Sequence, residues 1–188
     1  GQELDDYALA ALAASDLSTA QARLEHLCRD HLVQGAATGR YGLHDLVRAY
    51  AADRARDEDP PSEHRAALTR LFDHYLAATA AAMDALYPAE AHRRPKMAVP
   101  ELPTPDLSGP AAARTWLDTE RPTLVAIAGH TVNHGWPTYA TALSTTLMRY
   151  LDGGYYEDPV IVHRAGYDAA TLTGDAAGQA NALADLGN

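Results

Sequence analysis

His44 stands between Leu43 and Asp45, where a short extended run gives way to a helical pattern. At such a junction the first backbone N–H groups have no partner inside the helix, and the helix dipole presents its positive end. An imidazole there can join those N–H groups around an anion such as a phosphate. Asp45, in the first turn, suits the same dipole. The bland alternative is a histidine that caps or packs locally. His130 and His134 are four residues apart, a spacing that can turn two imidazoles toward one metal. A zinc peptidase would need a glutamate where Thr131 stands, as general base, and no third ligand is evident. Partly exposed helix histidines are therefore expected, and no metal. His26 and His31, five apart, share a face poorly. Cys28 lies on an apolar face with no histidine partner, so a core residue is expected.

Other chemistry is missing from the sequence. There is no Gly-x-Ser-x-Gly elbow and no Gly-rich phosphate loop, so any nucleotide must have its main cradle outside this chain. Tyr155-Tyr156 and Trp136-Pro137 are expected to pack at helix turns. Arg93, Arg94 and Lys96 form the one compact basic cluster and are expected on a solvated loop. No catalytic residue and no enzyme activity are expected for this chain.

The 188 residues are 47% hydrophobic and 21% charged, enough to bury a core. Fifteen Lys and Arg face 25 Asp and Glu, a formal charge of −10, which argues against direct nucleic-acid binding. One cysteine excludes a disulfide framework and fits a reducing, cytoplasmic setting. No apolar run is long enough for a membrane span, and no secretory signal is recognisable. The chain starts at Gly1 without Met and stops at Asn188 in mid-pattern, so a piece of a larger protein is expected.

Abundant alanine with few Val and Ile favours helix over sheet. Leu4, Tyr7, Ala8, Ala11 and Leu12 space a first helix. Ser18 is expected to cap a second, which carries Ala22, Leu24, Leu27 and Cys28. Residues 32–34 and 40–43 flank a Gly/Thr turn as a small hairpin. A third helix follows, with Leu46, Val47, Tyr50 and Ala51 as its apolar stripe. Helix, helix, hairpin, helix is the order of a winged helix. This one carries six arginines against ten acidic residues over 1–58, so it is expected to pack on protein rather than DNA. After Asp59-Pro60-Pro61, Ser62 is expected to cap a long helix with Leu68, Leu71, Phe72, Tyr75, Leu76, Thr79, Met83 and Leu86 along one stripe. Six prolines between Pro88 and Pro110 predict an extended connection. Further helices are expected from Pro110, broken at Arg121-Pro122, then from Pro137 to Gly153-Gly154, over 160–172 and over 179–186. Short helices joined by Gly-Asp turns suggest stacked hairpins. Residues 180–187 fit the opening of a tetratricopeptide repeat, with Leu183, Leu186 and Gly187 in its register.

Residues 40–51, Arg-Tyr-Gly-Leu-His-Asp-Leu-Val-Arg-Ala-Tyr-Ala, resemble the end of the winged-helix subdomain of actinobacterial AfsR/SARP-like STAND-class regulators, which carry an NB-ARC nucleotide-binding module. Leu71 to Ala77 resembles the family's Leu-x-x-His-Tyr-Leu helix. Ala113 to Arg121 resembles its Ala-x-x-Trp-Leu-x-x-Glu-Arg segment, and Gly174-Asp175 with 183–187 resembles the lead-in to its tetratricopeptide array. The resemblance implies that Leu43-His44-Asp45 stands for the Met-His-Asp triplet of NB-ARC proteins. His44 would contact the β-phosphate of ADP bound by upstream subdomains of the same chain, with Leu43 and Asp45 in support. It implies ADP or ATP with magnesium in the parent protein, and protein partners or self-association through the repeats.

The sequence thus predicts a mainly α protein. A winged helix with a small β-hairpin occupies 1–58, a long helix and Pro-rich linker 59–110, and helical hairpins leading into a tetratricopeptide-like solenoid 111–188. The expected role is transcriptional regulation by a nucleotide-operated switch. The alternative is a nucleotide-blind helical scaffold for protein interactions.

Overall fold

The structure is a computed structural model that describes residues 3–35, 39–95 and 103–187, with Arg93 by its backbone alone. Aspartates set the starts of the first two helices. Asp5 accepts a hydrogen bond from the Ala8 N–H (2.7 Å) at the start of α1 (Asp6–Ala13). Asp16 accepts one from the Thr19 N–H (2.8 Å) at the start of α2 (Leu17–Arg29). Each cap satisfies a donor that the helix leaves orphaned. Asp16, not Ser18, is therefore the cap; the Ser18 hydroxyl instead donates to the Asp16 carboxylate. Ala8, Ala10, Ala11 and Ala20 are fully buried, and these small side chains let α1 and α2 approach closely.

Leu4 belongs to a strand, not to the first helix. β1 (Glu3–Asp5) and β2 (Gln34–Gly35) flank β3 (Arg40–Gly42) in an antiparallel sheet of order β1-β3-β2, with Leu4 opposite Tyr41. The expected hairpin is present, though residues 36–38 of its turn lie outside the described ones. α3 (Asp45–Glu58) follows directly. Its expected core stripe is not core: Leu46 is 77% exposed and Tyr50 67%. Local charge pairs hold the helix instead, Asp45 with Arg48, Asp53 with Arg56 and Arg54 with Glu58. Each such exposed pair is worth only about 0.2–0.5 kcal/mol.

α4 (Pro61–Leu86) opens at Pro61, which puts Ser62 inside the first turn rather than at the cap. Its expected stripe is buried from Phe72 to Met83. Contacts divide the chain into two compact units within this helix, after Tyr75, and each unit is described by itself. In the first, Arg70 donates to the carbonyls of Ala11 and Leu12 (3.2 and 2.8 Å), covering orphan acceptors at the end of α1.

The second unit comprises the rest of α4, a 3-10 turn (Pro88–Arg93), α5 (Pro110–Asn133), α6 (Pro137–Leu151), α7 (Glu157–Thr173) and α8 (Ala176–Leu186). Pro110 and Pro137 each open a helix where no N–H is needed. Gly174, at φ 70°, ends α7, and Asp175 caps α8 through the Gly178 N–H (2.9 Å). Each helix from α5 to α8 packs on the next, and α5 also meets α7 and α6 meets α8. Leu117, Leu124, Leu143, Leu147, Tyr150 and Val162 fill the core.

Two expectations about this unit fail. α5 runs unbroken through Pro122. A proline inside a helix costs about 3 kcal/mol, but burial of Leu117, Leu124 and Ile127 on either side offsets it at about 1.5–3 kcal/mol each. Arg94 is not on a solvated loop: it is buried, and its guanidinium reaches the Asp84 carboxylate (2.7 Å) and the Tyr87 carbonyl (2.9 Å). Lys96 lies outside the described residues. Among the described residues, no helix is long and apolar enough to cross a membrane.

The α6–α7 contact is made by Gly166, where a Cβ would lie 2.5 Å from the Ser144 Cβ and 2.6 Å from its Oγ. Gly129, inside α5, has nothing within 4 Å of the same added atom. Gly166→Ala is expected to destabilise by about 1–3 kcal/mol through overpacking. Gly129→Ala is expected to stabilise by up to about 1 kcal/mol through helix propensity. Chemical denaturation of both variants checks the opposite signs.

Candidate functional site

His44 is the N-cap residue of α3, with extended backbone (φ −61°, ψ 145°) and no side-chain cap bond to the helix. Its carbonyl accepts from the Arg48 N–H (2.9 Å), so the backbone enters the helix while the exposed imidazole stays outside. Asp45 is exposed and bonds Arg48 (2.5 Å) rather than His44. Leu43, half-exposed, lines an open apolar groove of about 600 Å³ with Tyr41, Val47, Leu24, Leu27 and Val33. The triplet therefore divides its work. Leu43 faces apolar surface, Asp45 tethers the first turn, and the imidazole is left beside the free N–H groups of a fourteen-residue helix. A histidine so placed can donate to, or when protonated pair with, an anion that arrives from outside this unit.

The other sequence candidates do not assemble. The His130 and His134 rings stack face to face at 4.0 Å, and His134 Nδ1 lies 2.8 Å from the His130 carbonyl. Burial, then the neighbouring His134, pushes the His130 pKa down. No metal-ligating group of three or more is found among the described residues. His26 lies 3.4 Å from Asp30, and His31 sits in the left-handed region at φ 57°. Cys28 is only half-buried, not a full core residue. Trp136 precedes α6 with its ring 6.3 Å from that of His130.

Two polar clusters in the second unit escaped the sequence reading. In the first, the Asp118 carboxylate accepts from the hydroxyls of Tyr150 (2.6 Å) and Tyr155 (2.9 Å). The Arg114 guanidinium lies over the Tyr150 ring (5.4 Å) and that of Arg121 over the Tyr155 ring (4.1 Å). Burial alone would raise the Asp118 pKa; the two hydroxyls and two guanidinium groups outweigh it and hold it low. Burial and the bond to Asp118 push the Tyr150 pKa up. This cluster ties α5 to α6 and the turn after it.

In the second cluster, Ser144 of α6, His163 of α7 and Asp185 of α8 converge. The Ser144 Oγ is 2.9 Å and the Asp185 carboxylate 3.7 Å from the same imidazole nitrogen, Nδ1. A nucleophilic triad needs serine and carboxylate on opposite nitrogens and an accessible hydroxyl. Here both partners share one nitrogen and Ser144 is buried, so the cluster is a structural clasp. Burial pushes the His163 pKa down, against the pull of Asp152. The only trace of this in the sequence is a histidine set among Val162, Ala165 and Gly166 on an apolar face.

The chain is 43% identical over 161 residues, 82% of its length, to regulatory protein AfsR of Streptomyces griseus. It is 42% identical over 128 residues, 64% of its length, to regulatory protein AfsR of Streptomyces coelicolor. Over this stretch the chain is AfsR-like. The matched segments make up 16% and 13% of those proteins, so the chain spans about a sixth of the length of these curated relatives. No family model matches the chain, and no solved structure does.

His163 is expected to titrate below the ordinary imidazole value of 6.5. A lowered imidazole pKa means that its contribution to stability is complete above 6.5 and is lost as pH falls from there through the lower folded-state value. Asp185, whose pKa burial and Asp152 raise, acts oppositely and regains stability as its carboxyl takes up a proton on further acidification. NMR titration of the imidazole protons, with His163→Gln to assign the signal, checks the direction. A midpoint at or above 6.5 would overturn it.

Proposed function

We propose that this chain is the switch-and-relay portion of an AfsR-like transcriptional regulator. In this reading residues 1–58 are a winged-helix subdomain, and His44 contacts the β-phosphate of ADP held by nucleotide-binding subdomains elsewhere in the longer protein. The helices from α5 onward begin a tetratricopeptide-like solenoid that takes up protein partners or further copies. The chain itself is no enzyme and works in the cytoplasm; ADP or ATP with magnesium belongs to the whole protein.

The observation that carries the proposal is the placement of His44. The exposed imidazole makes no bond to its own helix cap and stands at the positive end of α3. The identity to two regulatory proteins over most of the chain supports the regulatory part. Stacking of each helix on the next and next but one supports the solenoid. So does the exposure of Leu172 and Leu183, apolar residues that a following hairpin would cover.

The switch works by differential contact. A bond from His44 to ADP exists only when the winged helix is docked, so it stabilises that closed state alone. A charge-assisted hydrogen bond is worth roughly 1.5–3 kcal/mol, a population shift of about 10- to 150-fold. ATP would favour the undocked state and free the helical region for assembly.

The test uses the full-length protein. His44→Ala is expected to release bound ADP about 10-fold faster or more, with unchanged thermal stability of the nucleotide-free form. Equal retention in both proteins would reduce His44 to a surface residue. Purification free of nucleotide would favour the nucleotide-blind scaffold, a reading that the exposed apolar residues of α7 and α8 also suit.

A further inference from the structure

Among the described residues, no hydrogen-bond donor reaches the Asp185 carboxylate, which keeps only a narrow opening to solvent. Its side chain is 8% exposed, and its one charge partner among the described residues is the His163 imidazole at 3.7 Å, beyond hydrogen-bond reach. That imidazole nitrogen already lies 2.9 Å from the Ser144 hydroxyl, and burial disfavours its protonated form. A second carboxylate, Asp152 at the end of α6, adds repulsion instead of relief. A buried carboxylate ordinarily carries hydrogen bonds or a cation. Asp118 in the same unit shows that arrangement, with two hydroxyl donors and two nearby guanidinium groups.

Asp185 also lines a pocket of about 440 Å³. Asp152 stands on its wall, and Leu151, Val160, Tyr155 and Tyr156 supply apolar and aromatic surface. No Lys, Arg or His lines it. Tyr156 is 92% exposed at the surface. The cavity on the other side of Asp185 differs in that it already holds two guanidinium groups, Arg149 paired with Glu90 and Arg94 paired with Asp84. From residue 106 onward the chain carries four arginines and no lysine against nine Asp and Glu, so the field around the pocket is negative.

We propose that this pocket is a binding site for an alkylammonium or guanidinium group, which pairs with Asp185 and Asp152 while its aliphatic stem lies along Leu151, Val160 and the tyrosines. The size suits one such side chain, and an apolar sleeve ending in a carboxylate is what a lysine or arginine stem requires. The group comes from a basic segment of a protein partner or from a free amine; both present the same chemistry. The site is separate from His44 and stands whether or not His44 senses a nucleotide.

The test is calorimetric titration of the full chain at low salt with a lysine-containing peptide, the same peptide acetylated on the lysine, and putrescine. The lysine peptide or putrescine is expected to bind, with shifts in the NMR signals of residues 151–160 and 185, and the acetylated peptide is expected not to. Asp185→Asn is expected to weaken binding about 10-fold or more, the effect of losing one charged contact. Tyr156→Lys, at an exposed position and so without consequence for folding, is expected to block the site with its own ammonium group. Asp168→Asn, which removes an exposed charge paired with Arg164 elsewhere on α7, is expected to change nothing. A peptide that binds where putrescine does not identifies a protein partner as the source; equal binding identifies a free amine. No binding at millimolar concentration, or equal loss with Asp168→Asn and Asp185→Asn, would overturn the proposal.

Discussion

The second unit is built on the approach of two backbones at Gly166. With no Cβ there, α7 lies against Ser144 of α6 at a distance that a methyl group would not allow. That closeness brings the His163 imidazole within hydrogen-bond reach of the Ser144 hydroxyl, and one nitrogen then also faces Asp185. α8 is eleven residues long and rich in alanine, with little apolar area of its own to hold it. It depends on Ala182 and on the close seat of Gly178 against Ala170. Increasing the spacing between α6 and α7 would therefore loosen α8 as well, because α8 packs on both.

The first unit follows a different economy. Its core is mostly alanine, which permits close helix packing but buries little apolar area per residue. α3 adds almost nothing to that core. It rests on charge pairs along its surface and stands over an apolar groove. An element held this weakly by its own chain is easily biased by an outside contact of one or two kcal/mol, because little else sets its position. A histidine at the free end of such a helix would suit the proposed switch. The same histidine at the end of a deeply packed helix could hold a ligand but could move nothing.

How much of this the sequence carried depended on whether a residue acts along its own helix or across to another. Helix starts at Pro110 and Pro137, the apolar stripe of α4 and the strand-to-helix junction at His44 are local and were legible. The type and spacing of Leu43, His44 and Asp45 admit either an anion contact or a local cap, and only the family resemblance favours the first; in the structure the imidazole makes no cap bond. Errors arose where distant burial overrode a local signal. Pro122 reads as a break, yet leucines on both sides keep α5 intact. Arg94 reads as solvated, yet Asp84, ten residues away, holds it inside. Leu46 and Tyr50 read as core, yet both are exposed. The clasp of Ser144, His163 and Asp185 spans three helices and has no period, so no pattern in the sequence could announce it.

Asp118 and Asp185 show why such clusters must be judged by compensation and not by residue type. Both are helix aspartates in the same unit, each close to ionisable neighbours. Around Asp118, hydroxyl donors and guanidinium groups reverse the effect of burial and keep the carboxyl ionised as a fixed structural charge. Around Asp185, burial and Asp152 act in the same direction, and the nearest imidazole resists the proton that would help. The first carboxylate has nothing left to offer a ligand. The second remains costly as it stands, and an arriving cation would relieve that cost. Strain of this kind makes α8 less stable than its packing allows. A bound ammonium or guanidinium would remove it, so occupancy of the pocket would tighten α8 against α6 and α7.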